Sequence, residues 1–197
     1  MYQFLESIRV EGGVVHNLEL HQQRVDRAVR AFMPGRKVLL EEVLKEVILP
    51  SQGLFKLRLV YGKEIKTSYT VAPYAPPTFE KFIVREVPEL SYPHKFLDRR
   101  ELESFQPDIQ TQVLFTQEGF VTDSIFSNVV FFDGTGWFTP SRYLLGGVMR
   151  RRLLLDGAVA TQSIHLNDLK GFTHFRLINA LNGMDSPLRY PVEMLLG

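Results

Sequence analysis

The sequence predicts an α+β protein built in two halves, and three observations carry that expectation. Apolar residues recur at helical spacing in some segments and alternate with polar ones in others. The alternating segments are joined by short turn signals such as Gly12-Gly13 and Asp133-Gly134, which favour antiparallel neighbours. A proline-rich stretch, Ala72 to Thr78, separates two such sets. It resists helix and central strand alike and reads as an extended connection. The boundary predicted there divides the chain into a smaller α+β half, 1–75, and a larger half, 76–197.

The elements follow in order. Phe4, Ile8 and Val10 mark a strand, Gly12-Gly13 a turn, and Val14-Val15 the return. Val25, Ala28, Val29 and Phe32 form a helical stripe that Pro34-Gly35 stops. A second helix is predicted from Val38, Leu39, Val43, Leu44, Val47 and Ile48, ahead of Pro50. Phe55, Leu57 and Leu59 alternate as in a half-buried strand, and Thr67 to Val71 pairs with it across a turn at Gly62-Lys63. The second half opens with a strand at Phe82 to Val87. A polar stretch holding His94-Lys95 leads into a short helix. Strands follow at Val113 to Thr116, Asn128 to Phe132 and Trp137-Phe138, with a turn at Glu118-Gly119. A helix starts near Val148, and Phe175 to Ile178 is a last buried strand.

Composition excludes several classes of function. The 197 residues are 45% hydrophobic and 23% charged, ordinary for a globular protein. Lys plus Arg is 23 and Asp plus Glu is 22, a net charge of +1, so there is no electrostatic case for nucleic acid or an anionic membrane. The absence of Cys removes disulfides, thiolate metal sites and a cysteine nucleophile, and it fits a reducing compartment. No apolar run approaches the roughly 20 residues that span a bilayer. Glu6 interrupts the apolar start, unlike a signal peptide. A soluble, cytoplasmic protein is expected.

Few residues stand out chemically on their own. The five histidines lack zinc-protease spacing, and no metal site is expected. Gly146-Gly147 belongs to neither a P-loop nor a dinucleotide fingerprint. It does sit directly before a predicted helix, where free amides and the helix dipole favour an anion. Arg150-Arg151-Arg152 points in three directions on a helix and reads as a solvated face.

Several segments, in order, resemble the class IV aminotransferase family of pyridoxal-phosphate enzymes, fold type IV. Phe4-Leu5-Glu6-Ser7-Ile8-Arg9 is similar to the family's FET-x-R strand, and in the lyase branch the residue matching Ser7 faces the substrate. His21-Gln22-Gln23-Arg24 looks like H-x-x-R, whose arginine, here Arg24, holds the cofactor phosphate. His94-Lys95 through Arg99 resembles the lysine motif of the aminodeoxychorismate lyase branch. The resemblance makes Lys95 the residue that bonds the cofactor, and it makes Arg99 a substrate-carboxylate ligand or a brace for its loop. Glu118-Gly119-Phe120-Val121-Thr122-Asp123, followed by Asn128, resembles E-G-x-V-x-E-x-x-x-x-N with Asp123 in place of glutamate. That carboxylate faces the pyridine nitrogen, and Asn128 orders the turn beside it.

Thr139-Pro140 through Arg150 resembles T-P-x-x-x-x-L-L-x-G-I-T-R with one residue fewer before Leu144-Leu145, so the amides of Val148 and Met149 would grip the phosphate. Met149 replaces the family's threonine, and the loss of its hydroxyl, a contact worth about 1.5–3 kcal/mol, predicts weaker cofactor retention. Asn179-Ala180-Leu181 is similar to the lyase branch's N-A-L segment, which makes Asn179 a candidate phosphate contact.

The resemblance therefore implies pyridoxal 5'-phosphate as cofactor and a small amino-acid-like substrate. It also implies an active site at the interface of two domains, and a homodimer. The chain starts almost on the FET strand, so part of the usual substrate wall is expected to be absent or supplied by a second subunit. The activity implied is that of 4-amino-4-deoxychorismate lyase, which forms 4-aminobenzoate, a folate precursor, and pyruvate. The alternatives are a class IV aminotransferase of branched-chain or D-amino acid type, and a non-catalytic relative.

Overall fold

The computed structural model describes residues 2–63 and 67–196. They form two compact units, one of residues 1–76 with 94–98 and one of residues 77–93 with 99–197. Residues 94–98 lie in the larger half by sequence order, yet they pack with the first unit. Both units mix sheet with few helices, an α+β architecture.

In the first unit a four-stranded antiparallel sheet has the order β2-β1-β3-β4. Its strands are β1 (Gln3–Glu11), β2 (Val14–Val15), β3 (Leu54–Gly62) and β4 (Ser68–Pro73). Gly62 of the expected Gly62-Lys63 turn is the last residue of β3, and residues 64–66 beyond it lie outside the described residues. Helix α1 (Leu18–Phe32) buries Leu20, His21, Arg24, Val25 and Ala28 along one stripe. The core joins Phe4, Ile8 and Val10 of β1 to Leu57 and Leu59 of β3 and to Val25 and Ala28 of the helix. Residues on one face of a strand recur every second position. Glu6 therefore shares the core face with Phe4, Ile8 and Val10, while Ser7 points to the other face.

The second helix is shorter than its sequence predicts. It spans α2 (Leu40–Leu44) rather than 38–48. The side chain of Gln22 explains the late start. Its amide donates to the Val38 carbonyl at 2.9 Å, and its oxygen accepts from the Leu40 amide at 2.8 Å. This bracket holds Leu39 extended, at φ −103 and ψ 116, so no helical turn can include it. Ile48, expected on the buried stripe, is 91% exposed.

The second unit carries an eight-stranded sheet. Its path runs through β5 (Lys81–Glu86), β6 (Thr111–Gln117), β7 (Phe120–Ser124), β8 (Asn128–Phe132), β9 (Trp137–Pro140) and β10 (Ala160–Gln162). On its other side β8 pairs with β11 (His174–Ile178), which pairs in turn with β12 (Tyr190–Pro191). Two pairs are parallel, β5 with β6 and β9 with β10. The first is joined by a crossover through α3 (Arg100–Glu103). Strand β8 is buried on both faces, which accounts for its continuous apolar run. Val129 and Phe131 enter one core with Phe175. Val130 faces the other way, toward Met149 and Leu153 of α4 (Val148–Leu155). Among the described residues no helix is long and apolar enough to cross a membrane.

Candidate active site

The first unit buries a charged cluster. Glu6 has no exposed surface, and both its oxygens are engaged. Arg24 donates from Nε to Oε1 at 2.8 Å and from Nη2 to Oε2 at 2.5 Å. His21 Nδ1 lies 2.6 Å from Oε2. Burial alone would raise the Glu6 pKa. The Arg24 charge and the hydrogen bonds from His21 and Arg24 outweigh it and bring the value from 4.5 down to about 2. His21 is pushed below its ordinary range, first by burial, with the charges of Arg24 and Lys95 adding to it and Glu6 opposing. The imidazole is therefore neutral near pH 7, and its buried Nε2 has no hydrogen-bond partner.

Lys95 lies in the segment that returns to this unit. Its carbonyl accepts from the Leu5 amide at 2.9 Å, and the Leu97 amide donates to the Gln3 carbonyl at 2.8 Å. Phe4 and Phe96 form a bridge between them. The backbone of Lys95 is thus pinned alongside β1, and its side chain is half-buried. Phe4, Phe32, His94 and Phe96 pack ring against ring beside it, with centroids 5.0 to 6.3 Å apart. Ser7 is half-buried opposite Arg58.

The second unit gathers Asp123, Asn128 and the approach to α4. Strands β7 and β8 meet at the pair Asp123–Asn128. Asn128 Nδ2 donates to Asp123 Oδ1 at 2.6 Å and to the Leu145 carbonyl at 2.9 Å. Asp123 Oδ2 accepts from the amides of Leu144 at 2.9 Å and Leu145 at 2.7 Å. Asp123 is 4% exposed, and desolvation raises its pKa from 3.8 to about 7 against the lowering effect of these donors.

Gly147 caps α4 without a side-chain hydrogen bond, in an ordinary extended conformation. What requires glycine there is space, because a Cβ would sit 1.9 Å from Asn128 Oδ1. The amide of Arg151 makes the first backbone bond of the helix, to the Gly147 carbonyl at 3.0 Å. The three preceding amides, Val148 to Arg150, have no acceptor within the helix. The Met149 side chain packs into the cluster of Val130, Leu153 and Ile178. An apolar residue suits that position, and its amide stays at the helix start.

Asn179 closes its own turn. Its Oδ1 accepts from the amides of Leu181 at 2.9 Å and Asn182 at 3.1 Å, and its Nδ2 donates to Ser127 Oγ at 3.0 Å. Asn179 and Asn128 are thereby linked through adjacent residues 127–128. Arg99 donates to the Ile125 carbonyl at 2.5 Å and lies over the rings of Phe126 and Tyr92, at 4.9 and 5.7 Å. The contacts with Ile125 and Phe126 both tie Arg99 to the β7–β8 turn.

Glu6 and His21 lay within the recognised motifs without being assigned a role. Glu6 carried a signal: a carboxylate at a core-facing position of an apolar strand needs a buried partner. Among the described residues no group of three or more His, Cys, Asp or Glu side chains could hold a metal ion.

Comparison with known proteins gives these arrangements a family. The model of the amino-transferase class IV family matches residues 3–185, and the chain belongs to that family. An uncharacterized protein of Haemophilus influenzae is 28% identical over 189 residues, covering 93% of this chain and 100% of the relative. A crystal structure from Haemophilus somnus, provisionally named 4-amino-4-deoxychorismate lyase, is 27% identical with a TM-score of 0.84. That match covers 93% of this chain and 98% of the other. A Mesorhizobium loti structure, provisionally named an amino-acid aminotransferase, is 24% identical with a TM-score of 0.74, over 93% and 97% of the two chains, and shows the shared fold. This is a family of pyridoxal-phosphate-dependent aminotransferases and lyases, and the two-sheet α+β fold is its fold type IV architecture.

Proposed function

We propose that the chain is a pyridoxal-phosphate enzyme and acts as a 4-amino-4-deoxychorismate lyase, releasing 4-aminobenzoate and pyruvate. The observation that carries the cofactor assignment is the start of α4. Three amides without helical acceptors follow a glycine whose Cβ position is filled by Asn128. Such a helix start suits a phosphate. Asp123 supports the same reading. Oδ2 accepts two hydrogen bonds and Oδ1 one, which leaves Oδ1 a lone pair for a pyridine N–H. The shorter side chain therefore still fits the group.

When bound, pyridoxal phosphate supplies an electron sink for negative charge developing at the substrate α-carbon. Lys95 would hold it through Nζ, and the same amine would serve as general base for the substrate α-proton. Asp123 would balance the charge of the protonated ring nitrogen. The amides of Val148 and Met149, the Arg24 guanidinium and the Asn179 turn would hold the phosphate. Asn128 orders the loop between them, Ser7 contacts the substrate, and Arg99 acts by holding the 124–127 turn.

The lyase is favoured by the Lys95-to-Arg99 spacing, by Asn179-Ala180-Leu181 and by the likeness to the Haemophilus somnus protein. The aminotransferase reading draws on the family itself. A non-catalytic role is disfavoured, since Met149 has a packing reason and Asp123 retains an acceptor. We further assign the chain to the cytoplasm as a homodimer, which light scattering tests.

The deciding experiment supplies purified protein and pyridoxal phosphate with 4-amino-4-deoxychorismate. Appearance of 4-aminobenzoate and pyruvate in equal amounts is the expected result. Amino-group transfer from an amino acid to a 2-oxo acid, without that elimination, would replace the lyase by the aminotransferase.

A further inference from the structure

We propose that Asp123 is also the positioning residue of the phosphate-binding backbone, clamping the amides of Leu144 and Leu145 so that Gly147 and the start of α4 are held against Asn128. This rests on the reading above that the helix start receives the cofactor phosphate.

The geometry is that of one carboxylate organising a whole approach segment. Oδ2 takes both consecutive amides, at 2.9 and 2.7 Å. Oδ1 takes Asn128 Nδ2 at 2.6 Å, and the same Nδ2 reaches the Leu145 carbonyl at 2.9 Å. The other atom of that carboxamide, Oδ1, occupies the space where a Gly147 Cβ would stand. Five consecutive residues, from Leu144 to Val148, thus run from the clamp to the first turn of the helix. Two hydrogen-bonded positions and one close contact fix them. All the donors come from the protein, so the grip exists before any cofactor arrives.

The chemistry of the site explains why the residue is an aspartate. Both oxygens face donors, so an asparagine cannot be accommodated in either orientation. One flip turns its NH2 toward Asn128 Nδ2, and the other turns it toward the two amides. A glutamate would carry the carboxylate one methylene further and displace the 144–145 segment that now lies at hydrogen-bond distance. A group that only faced the pyridine ring would not discriminate in this way, because a glutamate at this position would serve it as well.

The test uses the full chain with Asp123→Asn and Asp123→Glu. Two probes are titrated, pyridoxal phosphate and pyridoxal, which lacks the phosphate. Amide hydrogen exchange at Leu144 and Leu145 is followed in the protein without either probe. The clamp predicts that Asp123→Asn cuts the preference for pyridoxal phosphate over pyridoxal by roughly tenfold or more, the loss of one charge-assisted hydrogen bond's worth of positioning. It also predicts faster exchange at both amides, and it predicts that Asp123→Glu retains the cofactor less well than the native residue. Equal weakening of both probes would reduce Asp123 to a ring contact and overturn the proposal, as would native exchange rates in Asp123→Asn. If Asp123→Asn fails to fold, the same two readouts on Asp123→Glu decide. If the native protein binds neither probe, the cofactor reading itself fails. Exchange at the two amides still tells whether the clamp exists.

Discussion

Glu6→Gln keeps the shape of a fully buried side chain and removes its charge. In the native protein that charge is shared between the Arg24 guanidinium and His21 Nδ1. Arg24 is 7% exposed, so the variant strands a buried cation against a neutral amide. Breaking a buried pair from one side costs about 3–5 kcal/mol. The titration of Glu6 gives a second route to the magnitude. Its carboxyl falls from 4.5 in a free chain to about 2 in the fold, equivalent to about 3 kcal/mol. The group is lowered by folding, so this stabilisation is fully present above pH 4.5. It is lost as the pH falls through 4.5 toward 2. Urea denaturation at pH 7, followed by amide hydrogen exchange in the first unit, should show that unit losing about 3 kcal/mol in Glu6→Gln. Repeated in acid, the native protein should lose that advantage over the variant. A variant within about 0.5 kcal/mol of native at pH 7, the range of an ordinary surface substitution, would refute the reasoning. Acid curves that run parallel would refute it equally.

Three further outcomes follow from the second unit. Gly147→Ala places a methyl 1.9 Å from Asn128 Oδ1. It should cost about 1–3 kcal/mol by overpacking and weaken pyridoxal-phosphate binding in a titration, whereas unchanged affinity would mean that the backbone there is not held by Asn128. Gly119→Ala combines a φ of +75 with a Cβ 2.3 Å from His165 Nε2. Thermal denaturation should show a loss of about 1 kcal/mol or more, and native stability would contradict the tight β6–β7 turn. The Asp123 carboxyl should titrate near pH 7 by carbon NMR without cofactor, because burial raises it from 3.8. Its contribution to stability is full below 3.8 and is lost as the pH rises through about 7, so a midpoint near 4 would contradict the desolvated setting.

Sequence pattern exposed the elements whose periodicity is local. The β1–β2 hairpin, α1, β3, β8 and the start of α4 are examples. Strand β7 escaped because its buried residues Thr122, Asp123 and Ser124 are polar, and no alternation marks them. Helix α2 was overdrawn because the Gln22 bracket that stops it is a tertiary contact. Strands β10 and β12 are three and two residues long, too short for a period. The return of residues 94–98 to the first unit depends on pairing with β1 across more than eighty residues of chain, which no window of sequence reveals. Within the candidate site, motif spacing brought Asp123 and Asn128 together as a pair. It did not disclose that Asp123 holds backbone amides 21 and 22 residues on, nor that Arg24 and His21 share Glu6. Both facts belong to packing between elements.

The central claim is that Lys95 carries pyridoxal phosphate. It is tested most directly by the near-ultraviolet and visible spectrum of the protein with added cofactor, followed by borohydride reduction and peptide mapping. The expected result is a new absorption band that reduction abolishes, with the reduced cofactor fixed to Lys95 and absent from Lys95→Ala. No band, or a label fixed to a different lysine, would contradict it.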